Sequence, residues 1–135
     1  MQSRSRIVRS ASFVLALFFC GPAHAELVYS DLIYMVDGDT AKIGNQRYRL
    51  VGFDTPETWT PRCAFEEALG NAASERAREL VDAAGIVDLI ILPGRDKYNR
   101  GLASIYIRGV DLGDILIREG LARPYDGGRR ASWCE

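Results

Sequence analysis

Histidine is almost missing from this chain: His24 is the only one in 135 residues. It falls within an N-terminal segment that reads as an export signal, so the part that follows has no imidazole to serve as a base or a metal ligand. Cysteine is scarce as well, with three in all and only Cys63 and Cys134 beyond that segment. Two thiolates without histidine fall short of the four ligands of a structural zinc site. No long apolar run is present. Residues 11–20 are the longest candidate, and ten residues are too few to span a bilayer permanently. A positive excess is lacking too, because 17 Lys and Arg face 18 Asp and Glu. Without the first 25 residues the balance is 14 against 18, a formal charge of −4. Overall charge therefore excludes strong non-specific attraction to nucleic acid. Any affinity for phosphate has to come from a local cluster of cations or from a bound metal.

Arg4, Arg6 and Arg9 give the N-terminus a basic start, residues 11–20 follow as the apolar run, and Ala23-His24-Ala25 has the small-x-small form of a cleavage site. The segment reads as a signal peptide cut after Ala25, which places a domain of residues 26–135 outside the cytoplasm, secreted or periplasmic. An uncleaved anchor is the alternative, set against the short run and the cleavage motif. Lipid attachment at Cys20 is opposed by bulky Phe18 and Phe19 where small residues are required. In an oxidising compartment Cys63 and Cys134 read first as a disulfide that ties a mid-chain loop to the C-terminus, with two buried free thiols as the alternative.

The remaining 110 residues hold no repeat, low-complexity tract or long linker, and suffice for one domain with one core. Residues 32–36 and 40–43 read as strands, and Gly44-Asn45 as a two-residue turn into a strand over 46–53. Apolar spacing predicts a helix over 66–84 that Gly85 ends. Strands follow at 86–92 and 101–107 around a polar loop at 93–99, then a short helix over 112–119 and an irregular tail from residue 123. Short strands with a packed helix and a closing helix predict an α+β domain built on a small β-barrel of the oligonucleotide-binding (OB) type.

Three clusters carry chemistry: Asp37-Gly38-Asp39-Thr40, the run from Arg49 through Asp54-Thr55-Pro56 to Glu57, and Asp96-Lys97-Tyr98-Asn99-Arg100. Read singly, they are a turn, a helix start and a solvated loop. Together they put carboxylates and two arginines at the ends of adjacent strands. Asp39, Asp54 and the Thr55 carbonyl form a hard oxygen set that suits calcium, magnesium or manganese, and calcium tolerates such open coordination best. Glu57 is the available base for a water, and Arg49 and Arg100 are a natural clamp for a phosphate, since each guanidinium stays charged and donates two parallel hydrogen bonds.

These blocks, VDGDT at 36–40, RLVGFDTPE at 49–57, DKYNRGLA at 96–103 and IREGLA at 117–122, resemble the staphylococcal nuclease (thermonuclease) family over about residues 33–125. The resemblance implies a five-stranded OB barrel and calcium-dependent hydrolysis of DNA and RNA to products ending in 3′-phosphate; the domain itself is expected to be a monomer and to need no membrane once its signal is removed. It implies Asp39, Asp54 and Thr55 as calcium ligands, Arg49, Glu57 and Arg100 as catalytic, Asp37 as outer support, and Lys97 and Tyr98 as contacts to a neighbouring phosphate. Tyr125 stands near a base-contacting tyrosine of the family. The chain departs from the family's type member in a shorter hairpin at Gly44-Asn45, no long final helix after Tyr125, and acidic charge. Arg95, Arg129 and Arg130 are candidates for a local basic rim or for ordinary solvated surface. A barrel that binds nucleic acid or another phosphate ligand without turnover is the competing reading, and an exported structural domain a third. N-terminal sequencing of the exported product should give Glu26 as its first residue, and an intact Met1 in the cytosol would refute export.

Overall fold

The strands form where apolar residues alternate, and the turns where glycine relaxes the backbone. The computed structural model describes residues 24–134, so the expected export segment lies outside the described residues except for His24 and Ala25. The elements are β1 (Ala25–Tyr29), a single 3₁₀ turn (Ser30–Leu32), β2 (Ile33–Asp37), β3 (Thr40–Ile43), β4 (Gln46–Leu50), β5 (Gly52–Asp54), α1 (Ala64–Ala84), β6 (Ile86–Arg95), β7 (Gly101–Ile107), β8 (Val110–Asp111), α2 (Leu112–Arg118) and β9 (Arg123–Tyr125). Gly44, at φ 58°, takes the left-handed conformation that the turn between β3 and β4 requires.

The main sheet runs β1-β6-β7-β4-β3-β2, with β8 added to β7, and β5 and β9 make a separate pair. Strands β4 and β7 are parallel, whereas the other pairings are antiparallel. The sheet curls into a half-barrel closed by two helices, an α+β arrangement of the OB type. Five strands were expected, and the main path has six plus β8. β1 is the addition: only Val28 of its five residues is buried, so it exists by pairing with β6 and not by its own alternation. β9, within the tail expected to be irregular, likewise forms through its pairing with β5.

The strand expected over residues 46–53 is broken at Val51. Leu50 and Phe53 both lie in the core, 1% and 2% exposed, which a continuous period-two strand cannot achieve at a spacing of three. Gly52, at φ 92°, absorbs the bend. The Val51 N–H donates across to the Ala103 carbonyl at 3.0 Å. β6 continues past Pro93 to Arg95, further than expected, through an irregularity between Leu92 and Arg95.

Met35, Leu50, Phe53, Val87, Ile105, Leu112 and Leu116 are fully buried or nearly so, and α1 adds Ala77 and Val81. Arg78, outside the apolar face of α1, reaches the carbonyls of Met35 and Val36, donating at 3.0 and 3.1 Å. It thereby locks the helix to the end of β2, where the site begins. The start of α1 is fixed differently. Cys63 caps it, accepting from the Glu66 N–H through sulfur, and is bonded to Cys134 with 6.1 Å between the Cα atoms. Glu66 is buried, and its carboxylate accepts from the Arg62 N–H at 2.7 Å and from the Arg62 guanidinium. Burial pushes this carboxyl up, but the hydrogen bonds and charge of Arg62 outweigh it and hold the group below its ordinary 4.5.

The disulfide closes a separation of 71 residues. Replacing both cysteines by serine should lower unfolding stability by roughly 2–4 kcal/mol in urea titrations. Because the folded Glu66 carboxyl titrates below its unfolded value, its stabilisation is present above pH 4.5 and is lost as pH falls through the folded value. Glu66→Gln should therefore flatten the acid limb of a stability-against-pH curve, and an unchanged acid limb would show that Glu66 does not contribute.

Candidate active site

The turn from β2 to β3 is where the first carboxylates are placed. The Asp39 N–H donates to Asp37 Oδ1 at 3.1 Å, which folds the turn on itself. Gly38 is required here: a Cβ would fall 2.6 Å from Thr55 Cγ2. Asp39 is 6% exposed, and its Oδ2 accepts from the Thr55 N–H at 3.0 Å and from the Thr55 hydroxyl at 3.2 Å. This contact spans the turn and the end of β5, which delivers Asp54 (5% exposed) and Thr55.

Thr40 faces Arg49 across β3 and β4. The Arg49 side chain is only 12% exposed and gathers the cluster: Nη1 lies 3.4 Å from Asp39 Oδ2 and Nη2 lies 3.3 Å from Asp54 Oδ1. Its Nη1 also donates to the Leu50 carbonyl at 2.5 Å, and Nη2 to the Phe53 carbonyl at 2.9 Å. One guanidinium thus joins the two strand ends and both buried carboxylates.

The loop between β6 and β7 brings the second arginine. Asp96 receives the Arg100 N–H at 2.9 Å and Arg100 Nε at 2.7 Å, and Arg100 Nη1 donates to the Thr40 hydroxyl at 2.9 Å. The Thr40 hydroxyl in turn donates to Asp39 Oδ1 at 3.3 Å, so Asp96, Arg100, Thr40 and Asp39 form one chain of hydrogen bonds. Arg100 Nη2 makes no protein hydrogen bond among the described residues. Burial works to raise the Asp96 carboxyl, but the hydrogen bonds and charge of Arg100 hold it below the usual carboxylate range. Burial, and then the charge of Asp39, push Asp37 up to about 6. The side-chain partners of Asp37 are Asp39 and Thr40.

Glu57 sits at the far side, with Oε1 accepting from the Thr58 and Trp59 N–H groups at 3.2 and 3.3 Å. Its carboxylate is 35% exposed and open to water. Arg130, expected only as part of a surface rim, points inward. Its Nη2 lies 2.6 Å from Asp54 Oδ1 and donates to the Thr55 carbonyl at 3.1 Å, while Nη1 lies 3.7 Å from Glu57 Oε2. Of the other expected rim residues, Arg95 bonds the Asn99 carbonyl of its own loop, and Arg129 lines the groove.

In front of the cluster lies an open groove of ≈ 1170 Å³, lined by Arg49, Arg100, Lys97, Tyr98, Tyr125 and Arg129 among others. Tyr98 is 68% exposed and carries Lys97 and Arg100 against its ring at 5.0 and 5.5 Å. Tyr125 lies beneath Arg49, 5.8 Å from ring centre to guanidinium, with its hydroxyl turned to the Gly128 carbonyl. The wall is cationic and aromatic although the whole chain is acidic, the local cluster that phosphate affinity requires.

Among the described residues no three His, Cys, Asp or Glu side chains converge as a metal site. An ion here would depend on backbone oxygen and water in addition to carboxylate. Asp54 Oδ1 and the Thr55 carbonyl already converge on one cationic nitrogen, that of Arg130, and Asp39 shares the Arg49 fork with Asp54. The donors are all hard oxygens, which suits a divalent ion of the calcium or magnesium type.

The model of a family described as "Staphylococcal nuclease homologue" matches residues 47–132. The SPbeta prophage-derived endonuclease YokF of Bacillus subtilis (strain 168) is 43% identical over 106 residues, covering 73% of this chain and 34% of that protein. Endonuclease YncB of the same organism is 41% identical, covering 73% and 48%. A thermonuclease of Staphylococcus intermedius is 33% identical, covering 66% and 55%. The chain spans between about a third and about half the length of these relatives. With the family model matching more than half of its residues, Arg49, Asp54, Glu57 and Arg100 among them, the chain belongs to the staphylococcal nuclease homologue family.

Proposed function

We propose that this chain is an exported, calcium-dependent nuclease that hydrolyses phosphodiester bonds of DNA or RNA and leaves 3′-phosphate ends. The observation that carries this reading is the Arg49 fork on both buried carboxylates, with Glu57 on one side and Arg100 linked through Thr40 on the other. The names of the relatives, endonuclease and thermonuclease, point the same way.

In this reading Asp39, Asp54 and the Thr55 carbonyl hold calcium, which supplies positive charge against the phosphate oxygens. Glu57, partly exposed and oriented by two backbone N–H groups, accepts a proton from the attacking water. The water oxygen bonds to phosphorus as the bond to the 5′-oxygen breaks, so the phosphate stays on the 3′ side. Charge that builds on the phosphate oxygens meets Arg49 and Arg100, whose positions are fixed by their internal hydrogen bonds before substrate arrives. Arg100 Nη2 is the donor left for that task. Lys97 and Tyr98 line the groove where the next phosphate would lie, and Tyr125 lines the same groove.

Purified protein should degrade single-stranded DNA, duplex DNA or RNA with calcium and stop in chelator. Glu57→Gln and Arg100→Ala should each lower kcat by about 10²–10⁴ with the fold intact by circular dichroism. Wild-type rates in those variants would discard the roles assigned, and labelled oligonucleotide held without product release would favour a binding barrel.

A further inference from the structure

Arg130 occupies a position that the proposed chemistry has no use for. Its Nη2 lies where Asp54 Oδ1 and the Thr55 carbonyl converge, at 2.6 and 3.1 Å. A calcium ion bound to the same two oxygens would stand about 2.3–2.6 Å from each, overlapping that nitrogen. The ion and the guanidinium also repel each other, although the Arg130 side chain is 42% exposed and water screens part of that repulsion. The two cations are therefore mutually exclusive on these oxygens.

The contact is held from both sides along the chain. Before Arg130, β9 pairs with β5, aligning Arg123 with Asp54. After it, Trp133 is buried and stacked on the Arg123 guanidinium at 3.6 Å, Arg123 donates to the Ser132 carbonyl at 2.8 Å, and Cys134 is bonded to Cys63. The tail is a strap beside the carboxylate cluster, anchored on both sides of Arg130.

We propose that Arg130 is a tethered counter-cation that competes with the divalent ion for Asp54 and Thr55 and so sets the ion's affinity. The inference rests on the metal reading given under the proposed function. Arg130 is a positioning residue here: it acts through the occupancy of the oxygens and not on the substrate. A divalent ion enters by displacing the guanidinium, and at low ion concentration the carboxylates stay neutralised without it. The strap thus makes activity a function of the calcium level instead of leaving the site permanently loaded.

Calcium binding is measured by calorimetry on the intact, disulfide-bonded protein without nucleic acid, for wild type, Arg130→Ala, Arg130→Lys and Arg129→Ala. Losing one charge-assisted hydrogen bond competitor corresponds to roughly a tenfold gain in affinity for Arg130→Ala. Arg130→Lys, which keeps the charge but not the fork, should fall between it and wild type. Arg129→Ala removes the same charge one residue away and should stay within about twofold of wild type. Equal or weaker binding by Arg130→Ala, with wild type binding calcium, overturns the competition and leaves the metal site standing. An equal gain in Arg129→Ala overturns it too, since net charge would then explain the effect. Absence of calcium binding in all four proteins removes the metal reading and this inference together.

Discussion

Arg49 donates into the crossing point of the fold. Its guanidinium bonds the carbonyls of Leu50 and Phe53 and lies against the carboxylates of Asp39 and Asp54, so one side chain ties the β2–β3 turn to the ends of β4 and β5. Two carboxylates buried to about one-twentieth exposure would be strongly unfavourable without such a partner. The bend at Val51 and Gly52 is the geometric counterpart: it turns the Phe53 carbonyl and Asp54 back toward Arg49 while Phe53 stays in the core. Were the strand straight, Asp54 would leave the cluster.

Around that pair the charges are arranged in layers. Asp37 stands beside Asp39, and burial followed by the neighbouring charge pushes it up to about 6. At the front, Arg130 shares Asp54 Oδ1 with Arg49. Arg100 is set apart and poised by Asp96 and Thr40, with one nitrogen free of protein partners among the described residues. Local structure thus concentrates cations in an acidic chain along the groove lined by Arg49, Lys97, Arg100, Arg129 and Arg130.

Structural elements remote from the cluster hold it in register. Arg78 fastens α1 to the carbonyls at the end of β2, just before the turn that bears Asp37 and Asp39. Cys63 serves twice, capping α1 and anchoring the tail through Cys134. The segment bearing Glu57 therefore lies between the β5 end and a cross-linked helix start, which limits how far its carboxylate can stray from Asp54.

Local chemistry along the chain was enough for the α+β class, the hairpin at Gly44 and both helices, because alternation and glycine turns are properties of neighbouring residues, while the clusters that supply Asp39, Arg49, Asp54, Glu57 and Arg100 were legible as blocks resembling those of the family. Other features were not legible that way. β1 and β9 have no apolar alternation of their own and exist through β6 and β5; Arg78 reads as a helix residue outside the apolar face; and Arg130 reads as surface charge near a cysteine. Their partners lie far along the chain, 42 to 43 residues away for Arg78 and 75 for the Arg130 contact to Thr55, and a side chain's partner at that range is set by how the whole sheet and tail pack. The sequence by itself determined which chemical groups this protein has to work with, while only the tertiary structure decided that a tail arginine stands on Asp54 Oδ1 and the Thr55 carbonyl, because pairing β9 with β5 and cross-linking Cys134 to Cys63 are what bring that arginine back across the barrel.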